Sequence, residues 1–181
     1  MSAISIEIKK ADENHDLGAS KFFGSPTIPG KWIDMFSDDV IFFCQIRLSD
    51  IADFDMDSKL PHSGYLYLFL DIEMYPYQAM AYYYDGEPDT VIDDFNETEP
   101  RFSHLNKDWL MSFKSAGDTC DGIKLFGTPS SEVEHDGDLL MQFDPLQEDT
   151  QFLDNIDGYA YFFFGKDIKD IDSISFKIDR S

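Results

Sequence analysis

Two near-identical hexapeptides, KFFGSP at Lys21–Pro26 and KLFGTP at Lys124–Pro129, lie 103 residues apart in this chain. Similarity that recurs within one chain is the signature of an internal repeat, and a repeat constrains the fold more than any local pattern does. Each hexapeptide is followed by an apolar stretch that contains a Gln, Gln45 in the first case and Gln142 in the second. We therefore predict that the chain contains one unit twice.

Two further similarities, which follow the Gln-containing stretches, support the duplication. GYLYLF begins at Gly64 and GYAYFF begins at Gly158, and both precede a further alternating stretch. Counted from these glycines without a gap, Tyr82 falls opposite Phe176, and Asp85 falls opposite Asp179. The pattern predicts half-repeat one at about 21–85, a connecting segment at about 86–123 and half-repeat two at about 124–179, all within a single domain that spans 1–181.

Each half-repeat is predicted to supply three strands. Alternating and aromatic-rich runs of this length are typical of β-structure. An opening strand is expected where Ile4, Ile6 and Ile8 alternate. The second strand of each copy is apolar on both faces, so we expect it to be central. The six predicted strands are Val40–Arg47, Tyr65–Asp71, Gln78–Tyr84, Leu139–Asp144, Tyr159–Phe164 and Ser173–Ile178.

The connecting segment is predicted to contain a helix. Asn106 is a suitable N-cap, Trp109, Leu110 and Phe113 supply an apolar face, and Gly117 would end the helix. The predicted class is therefore α+β. It is mostly antiparallel β, with two three-stranded half-repeats about a pseudo-twofold and one or two short helices.

Acidic residues dominate the charge. With 14 basic and 36 acidic residues, the formal net charge is −22. Such a field repels nucleic acid and anionic membranes and speeds association with basic partners, although solubility alone also explains it. No signal peptide and no apolar stretch long enough to span a membrane is found, so the expected location is cytoplasmic. The sequence does not show whether Cys44 and Cys120 pair, nor does it indicate the oligomeric state.

Motifs for catalysis or cofactor binding are not found. The histidines form no close pair of the kind that zinc sites use, and no nucleophile elbow or phosphate-binding glycine loop occurs. DFDMDS begins at Asp53 and places acids as in a calcium loop, but Ser58 and Gly64 stand where that loop needs Gly and Glu. Only a weak surface cation site remains there. No cofactor and no metal site is predicted. The missing motifs weigh against catalysis, but the sequence leaves open whether the chain is an enzyme.

Six residues are candidates for binding. Trp32, Tyr75 and Tyr77 occur only in copy one, and Tyr83 should point outward from its strand. Exposed aromatic residues are common binding anchors, but the same residues can instead close the ends of a sheet. Gln45 and Gln142 are amides in apolar strands, so each must find partners. They either bond a neighbouring loop backbone or form a symmetric pair of ligand contacts.

Several landmarks resemble those of the YwqG-like family of bacterial proteins, a domain of unknown function. The resemblance covers roughly Ser20 to the C-terminus, with departures such as Ser25 where the family has a second Gly. It implies duplicated halves and no established activity. Some members of that family are encoded beside toxins, so the resemblance also implies an immunity role for this chain. The matching residues are Gly24, Pro26, Pro29, Gln45, Leu60, Pro61, Gly64, Lys124, Leu125, Gly127, Pro129, Gln142 and Gly158.

These observations favour a non-catalytic acidic interaction protein that neutralises a basic partner, such as a toxin domain. The alternative is a small-molecule-binding module, or an unrecognised enzyme, with a cleft between the duplicated halves. Nucleic-acid mimicry is a third hypothesis, which needs acids spaced like phosphates.

Overall fold

A computed structural model describes residues 2–98, 100–145, 159–165 and 173–179. The chain divides into two compact units. The copy-one unit is Ile8–Ser112, and the copy-two unit combines Met1–Glu7 with Phe113–Ser181. Both divisions fall inside strands, because β1 (Ala3–Lys10) and β8 (Trp109–Ala116) each contribute residues to both units.

Antiparallel strands form the copy-one unit. Strand β2 lies between β8 and β4, and β5 lies between β4 and β6, while β3 and β7 form a separate two-stranded sheet. The strands that belong wholly to this unit are β2 (Lys21–Phe22), β3 (Thr27–Ile28), β4 (Val40–Arg47), β5 (Tyr65–Asp71), β6 (Gln78–Tyr84) and β7 (Thr90–Val91).

The copy-two unit uses the same strand order. Strand β9 pairs with β1 on one side and β10 on the other, and β11 lies between β10 and β12. The order β2-β4-β5-β6 thus recurs as β9-β10-β11-β12. These strands are β9 (Lys124–Leu125), β10 (Leu139–Phe143), β11 (Ala160–Phe163) and β12 (Ser175–Ile178). Gly158, the first residue of GYAYFF, lies outside the described residues.

The predicted α+β class is wrong, because the described chain is nearly all antiparallel sheet and its only helical elements are short 3-10 turns. The helix expected after Asn106 is strand β8. Trp109 and Phe113 are four residues apart, which fits a helix face, but Trp109, Met111 and Phe113 also alternate as in a strand. Tertiary pairing decides, since β2 bonds to β8 at this point. The 3-10 turns are Gly30–Trp32, Leu48–Asp50, Phe95–Thr98 and Pro100–Leu105.

Strand β5 forms the centre of the copy-one core. It is buried from Tyr65 to Leu70, so it is covered on both faces, as its two-sided apolar pattern predicts. Tyr65, Tyr67 and Phe69 form one face of a buried cluster, against which three residues of β6 pack. Those residues are Met80, Tyr82 and Tyr84.

Candidate functional site

The two repeated hexapeptides form the same unusual turn. Phe23 and Gly24 have φ of 56° and 75°, and Phe126 and Gly127 have φ of 62° and 82°. Two successive residues in the left-handed region are rare outside glycine, so the surrounding contacts must hold each turn. At Gly24 a Cβ would lie 2.6 Å from the backbone nitrogen of Asp108, which leaves no room for a side chain.

Beside the first turn, a buried polar pair organises the loop. Lys21 and Gln45 are fully buried and lie opposite each other on β2 and β4. The Gln45 side-chain oxygen accepts from the Thr27 backbone N–H at 2.9 Å, and its amide nitrogen donates to the carbonyls of Ala19 at 3.0 Å and Leu17 at 3.3 Å. The Gln45 side chain therefore bonds to loop backbone groups, which agrees with the first of its two predicted roles, bonding to a neighbouring loop.

The copy-two unit repeats the pair. Lys124 and Gln142 are fully buried and lie opposite each other on β9 and β10. Lys124 Nζ donates to the carbonyls of Thr128 at 2.6 Å and Cys120 at 2.7 Å. The Gln142 oxygen accepts from the Ser130 backbone N–H at 2.9 Å. Burial lowers the pKa of Lys124, the cost expected for a charge whose nearest partners are carbonyl oxygens.

Asp108 is the polar residue of this region that the sequence did not reveal. Its carboxylate accepts from Lys21 Nζ at 2.9 Å, from the Ser25 backbone N–H at 2.7 Å and from His15 Nε2 at 2.5 Å. His15 Nδ1 also lies 2.5 Å from the Asp12 carbonyl. Both ring nitrogens of His15 therefore face oxygen acceptors, an arrangement that favours the protonated ring.

Burial and the interactions with Asp108 shift the pKa values of His15 and Lys21 in opposite directions. Burial lowers the pKa of His15, but hydrogen bonds to Asp108 and Asp12 outweigh it, so the net pKa is raised. Burial is also the largest effect on Lys21, and it keeps the pKa of that amine low although Asp108 favours its charge. The cluster of His15, Asp108 and Lys21 therefore has the composition of a buried ion network. Its contacts all lie within the chain, where they tie loop residues to β2.

The predicted aromatic candidates separate into two kinds. Trp32 is half-buried, with its ring centroid 5.4 Å from that of Tyr67 and 5.6 Å from that of Tyr82. Tyr75 is 53% exposed and lies 5.5 Å from the ring of Tyr77, which is half-buried. Tyr83 is half-buried and donates to the Ser63 carbonyl at 3.1 Å. Of these four candidates, Tyr75 is the one whose side chain is mostly exposed.

An apolar groove of about 290 Å³ lies in the copy-one unit, and the sequence did not indicate it. We call it the acidic-rimmed groove. Its walls come from the loop after Trp32 and from the segment around the third 3-10 turn. The residues that line it are Ile33, Phe36, Ser37, Asp38, Val40, Ile92, Asp94 and Phe95.

The walls of the groove are held by aromatic packing. Phe36 stacks on Phe69 with ring centroids 4.4 Å apart, and Phe95 meets Phe36 edge-on at 5.5 Å. Next to Phe95, the buried Asn96 accepts from the Phe42 backbone N–H at 2.8 Å and donates back to the Phe42 carbonyl at 3.2 Å. These contacts anchor the segment to β4 and preform the groove.

The chain segment that contributes Ile92, Asp94 and Phe95 to the groove is rich in acids. The sequence from Leu60 to Pro100 contains no Lys or Arg. None of the residues lining the groove is basic either, and the nearby Lys31 Nζ lies over the ring of Tyr84 at 5.5 Å. The acids between Leu60 and Pro100 are Asp71, Glu73, Asp85, Glu87, Asp89, Asp93, Asp94, Glu97 and Glu99.

Two other cavities lie elsewhere. One of about 550 Å³ is formed by the copy-two loop from Thr128 to His135, and one of about 270 Å³ surrounds the hairpin residues from Asp71 to Gln78. Among the described residues, no three His, Cys, Asp or Glu side chains lie close enough together to hold a metal ion. In the segment DFDMDS, which begins at Asp53, Asp55 is buried and accepts from the Lys59 and Leu60 backbone N–H groups.

Comparison with known proteins found neither a matching family model nor a significantly similar curated protein. The resemblance to the YwqG-like family therefore stays a prediction. The described part of the chain contains no helix with the length and apolar character that crossing a membrane requires. Cys44 and Cys120 are both free thiols.

Proposed function

We propose that the protein is a non-catalytic interaction protein that binds and neutralises a basic partner protein. The observation that carries this proposal is the segregation of charge in the copy-one unit, where a run of 41 residues, 60–100, contains acids but no Lys or Arg. Charge segregation of this kind creates a one-signed field, which steers an oppositely charged partner toward one face.

The polar clusters around the two turns support the proposal indirectly. Lys21, Gln45 and Gln142 bond to backbone or to Asp108, so these groups act within the fold. The acids, the exposed Tyr75 and the acidic-rimmed groove face solvent instead, where a partner can reach them. A toxin domain is the partner that the family resemblance suggests, and it is part of this proposal.

The test is a capture experiment followed by kinetics. The full chain is immobilised at low ionic strength and exposed to an extract of its native host, and the retained proteins are identified by mass spectrometry. The association rate constant of a purified basic candidate is then measured from about 10 mM to about 150 mM ionic strength, over which the screening length falls severalfold. We expect the rate to fall about tenfold or more.

A charge-matched control locates the effect. Asp85→Asn with Asp89→Asn removes two charges from the acid-rich run, and Asp136→Asn with Asp138→Asn removes two from the copy-two unit. The first pair should slow association more than the second. The proposal fails if no basic protein is retained, or if the rate constant does not change with ionic strength.

A further inference from the structure

We propose that the acidic-rimmed groove is an anchor site for one large apolar side chain that a Lys- or Arg-rich segment of the partner protein carries. This inference rests on the proposed function and names the surface that carries it. The occupant follows from charge complementarity. The groove has an apolar floor, carboxylates at its rim, and no basic residue in its lining.

The groove combines apolar side chains of different exposure with two exposed carboxylates. Val40 is 4% exposed and forms the floor, whereas Ile33 is 53% exposed, so an apolar surface leads from solvent into the groove. Asp38 and Asp94 both line the groove and are both exposed. Two exposed carboxylates beside apolar side chains match a segment in which basic residues flank an apolar one.

The size of the groove selects the kind of ligand. At about 290 Å³ it lies at the lower limit of pockets that enclose small molecules, which span about 300–1,000 Å³. A side chain anchored by its own backbone needs less room. The walls are also preformed, because Phe36 and Phe95 are fixed by their ring contacts, and a preformed pocket reduces the ordering cost of binding.

Two other cavities formed by described residues fit such an anchor less well. The cavity beside Tyr75 is bounded by a hairpin tip, where Met74 is 75% exposed, so it encloses little of a ligand. The loop cavity of the copy-two unit contains Glu132, Glu134 and His135 among its lining residues and has Val133 as its only large apolar side chain. Neither offers an apolar floor beneath an acidic rim.

The test uses three synthetic peptides with the full chain: KKLKK, KKGKK and EELEE. Binding is followed at low ionic strength by NMR chemical-shift changes of backbone amides, which give both affinity and location. We expect KKLKK to bind about tenfold or more tightly than KKGKK, the advantage of burying a leucine side chain. Its shift changes should concentrate at Ile33, Ser37 and Ile92.

Two matched pairs of variants separate the contributions. Ile33→Ser removes the exposed wall and should reduce the advantage of KKLKK over KKGKK at least about threefold, whereas Met56→Ser, at a residue 80% exposed and distant in sequence, should leave it unchanged. Asp38→Asn with Asp94→Asn should weaken both Lys peptides more than Asp53→Asn with Asp57→Asn does.

The outcomes distinguish this inference from the proposed function. If both Lys peptides bind equally, or if the shifts lie away from the groove, the anchor site is wrong while a basic partner still stands. If neither Lys peptide binds more tightly than EELEE, the proposed function fails as well. Circular dichroism of each variant shows that the fold is retained.

Discussion

Lys21 and Gln45 lie opposite each other on neighbouring strands, and both side chains donate to the same acceptor, the Leu17 carbonyl, at 3.0 Å and 3.3 Å. Two buried donors on one carbonyl fix the loop that precedes β2 against β4. In the copy-two unit, Lys124 and Gln142 occupy the same relative positions and likewise bond to the adjoining loops. The recurrence shows that each polar pair belongs to the architecture of the repeated strands.

Replacing Gln45 by Met should destabilise the protein. Met has nearly the same length but no hydrogen-bonding amide, so the Thr27 N–H loses its partner in a buried position. Leaving a buried backbone group unsatisfied costs about 1–3 kcal/mol. Urea unfolding measures the change, and Gln78→Met on an exposed position of β6 is the matched control. Equal stability of the two variants would contradict the structural role of Gln45.

A side chain at Gly24 should disrupt the first turn. Gly24 has φ of 75°, and a Cβ there would lie 2.6 Å from the Asp108 backbone nitrogen. Gly24→Ala should therefore cost more than about 1 kcal/mol, since both strain and a clash with backbone oppose it. Gly117→Ala is the control, because no atom lies within 4 Å of a Cβ added there. Thermal unfolding of both variants tests the difference, and a Gly24→Ala protein as stable as the control would exclude this geometry.

Local patterns predicted much of the sheet. The bounds of β4, β5 and β6 agree with the predicted ones, because each strand is an unbroken run dominated by aromatic and aliphatic residues. The sequence does not reveal strand β8, because Trp109 and Phe113 fit a helical spacing while Trp109, Met111 and Phe113 fit a strand spacing. Only its pairing with β2 decides between them, and that pairing is not local information.

The polar cluster and the groove were beyond sequence reasoning for a related reason. Asp108 lies 87 positions after Lys21 in the chain and 93 positions after His15. Nothing near Asp108 in the sequence distinguishes it from the many other acids. The groove likewise combines residues near Phe36 with residues near Phe95, so its existence depends on how β3 and β7 bring those loops together.

Truncating Trp32 should affect stability, whereas truncating Tyr75 should not. Trp32 contacts the rings of Tyr67, Tyr82 and Tyr84, so Trp32→Ala removes a half-buried aromatic cluster contact and should cost about 2 kcal/mol or more. Tyr75 is 53% exposed, and Tyr75→Ala should change stability by less than about 0.5 kcal/mol. Chemical denaturation of both variants is the measurement. A stable Trp32→Ala variant would show that Trp32 does not close the sheet and would favour its role as an anchor.

Stability should fall as pH rises through the folded-state pKa of His15. Burial lowers this pKa, but the hydrogen bonds to Asp108 and Asp12 together raise it by more than burial lowers it. The pKa of His15 in the folded state therefore lies above the ordinary 6.5. A raised pKa means that the folded state holds the proton more tightly than the unfolded state does. The stabilisation is therefore fully present below the unfolded-state pKa and is lost as pH increases through the folded value.

Unfolding by urea at a series of pH values from mildly acidic to mildly alkaline tests this expectation. His15→Asn should be less stable than the native protein at acidic pH, and the difference should shrink as pH increases because the native imidazolium loses its proton. His135 is the matched control, since its ring Nδ1 contacts the Gly137 carbonyl and the residue is exposed. A difference between native and His15→Asn proteins that stays constant with pH would show that folding does not raise the pKa of His15.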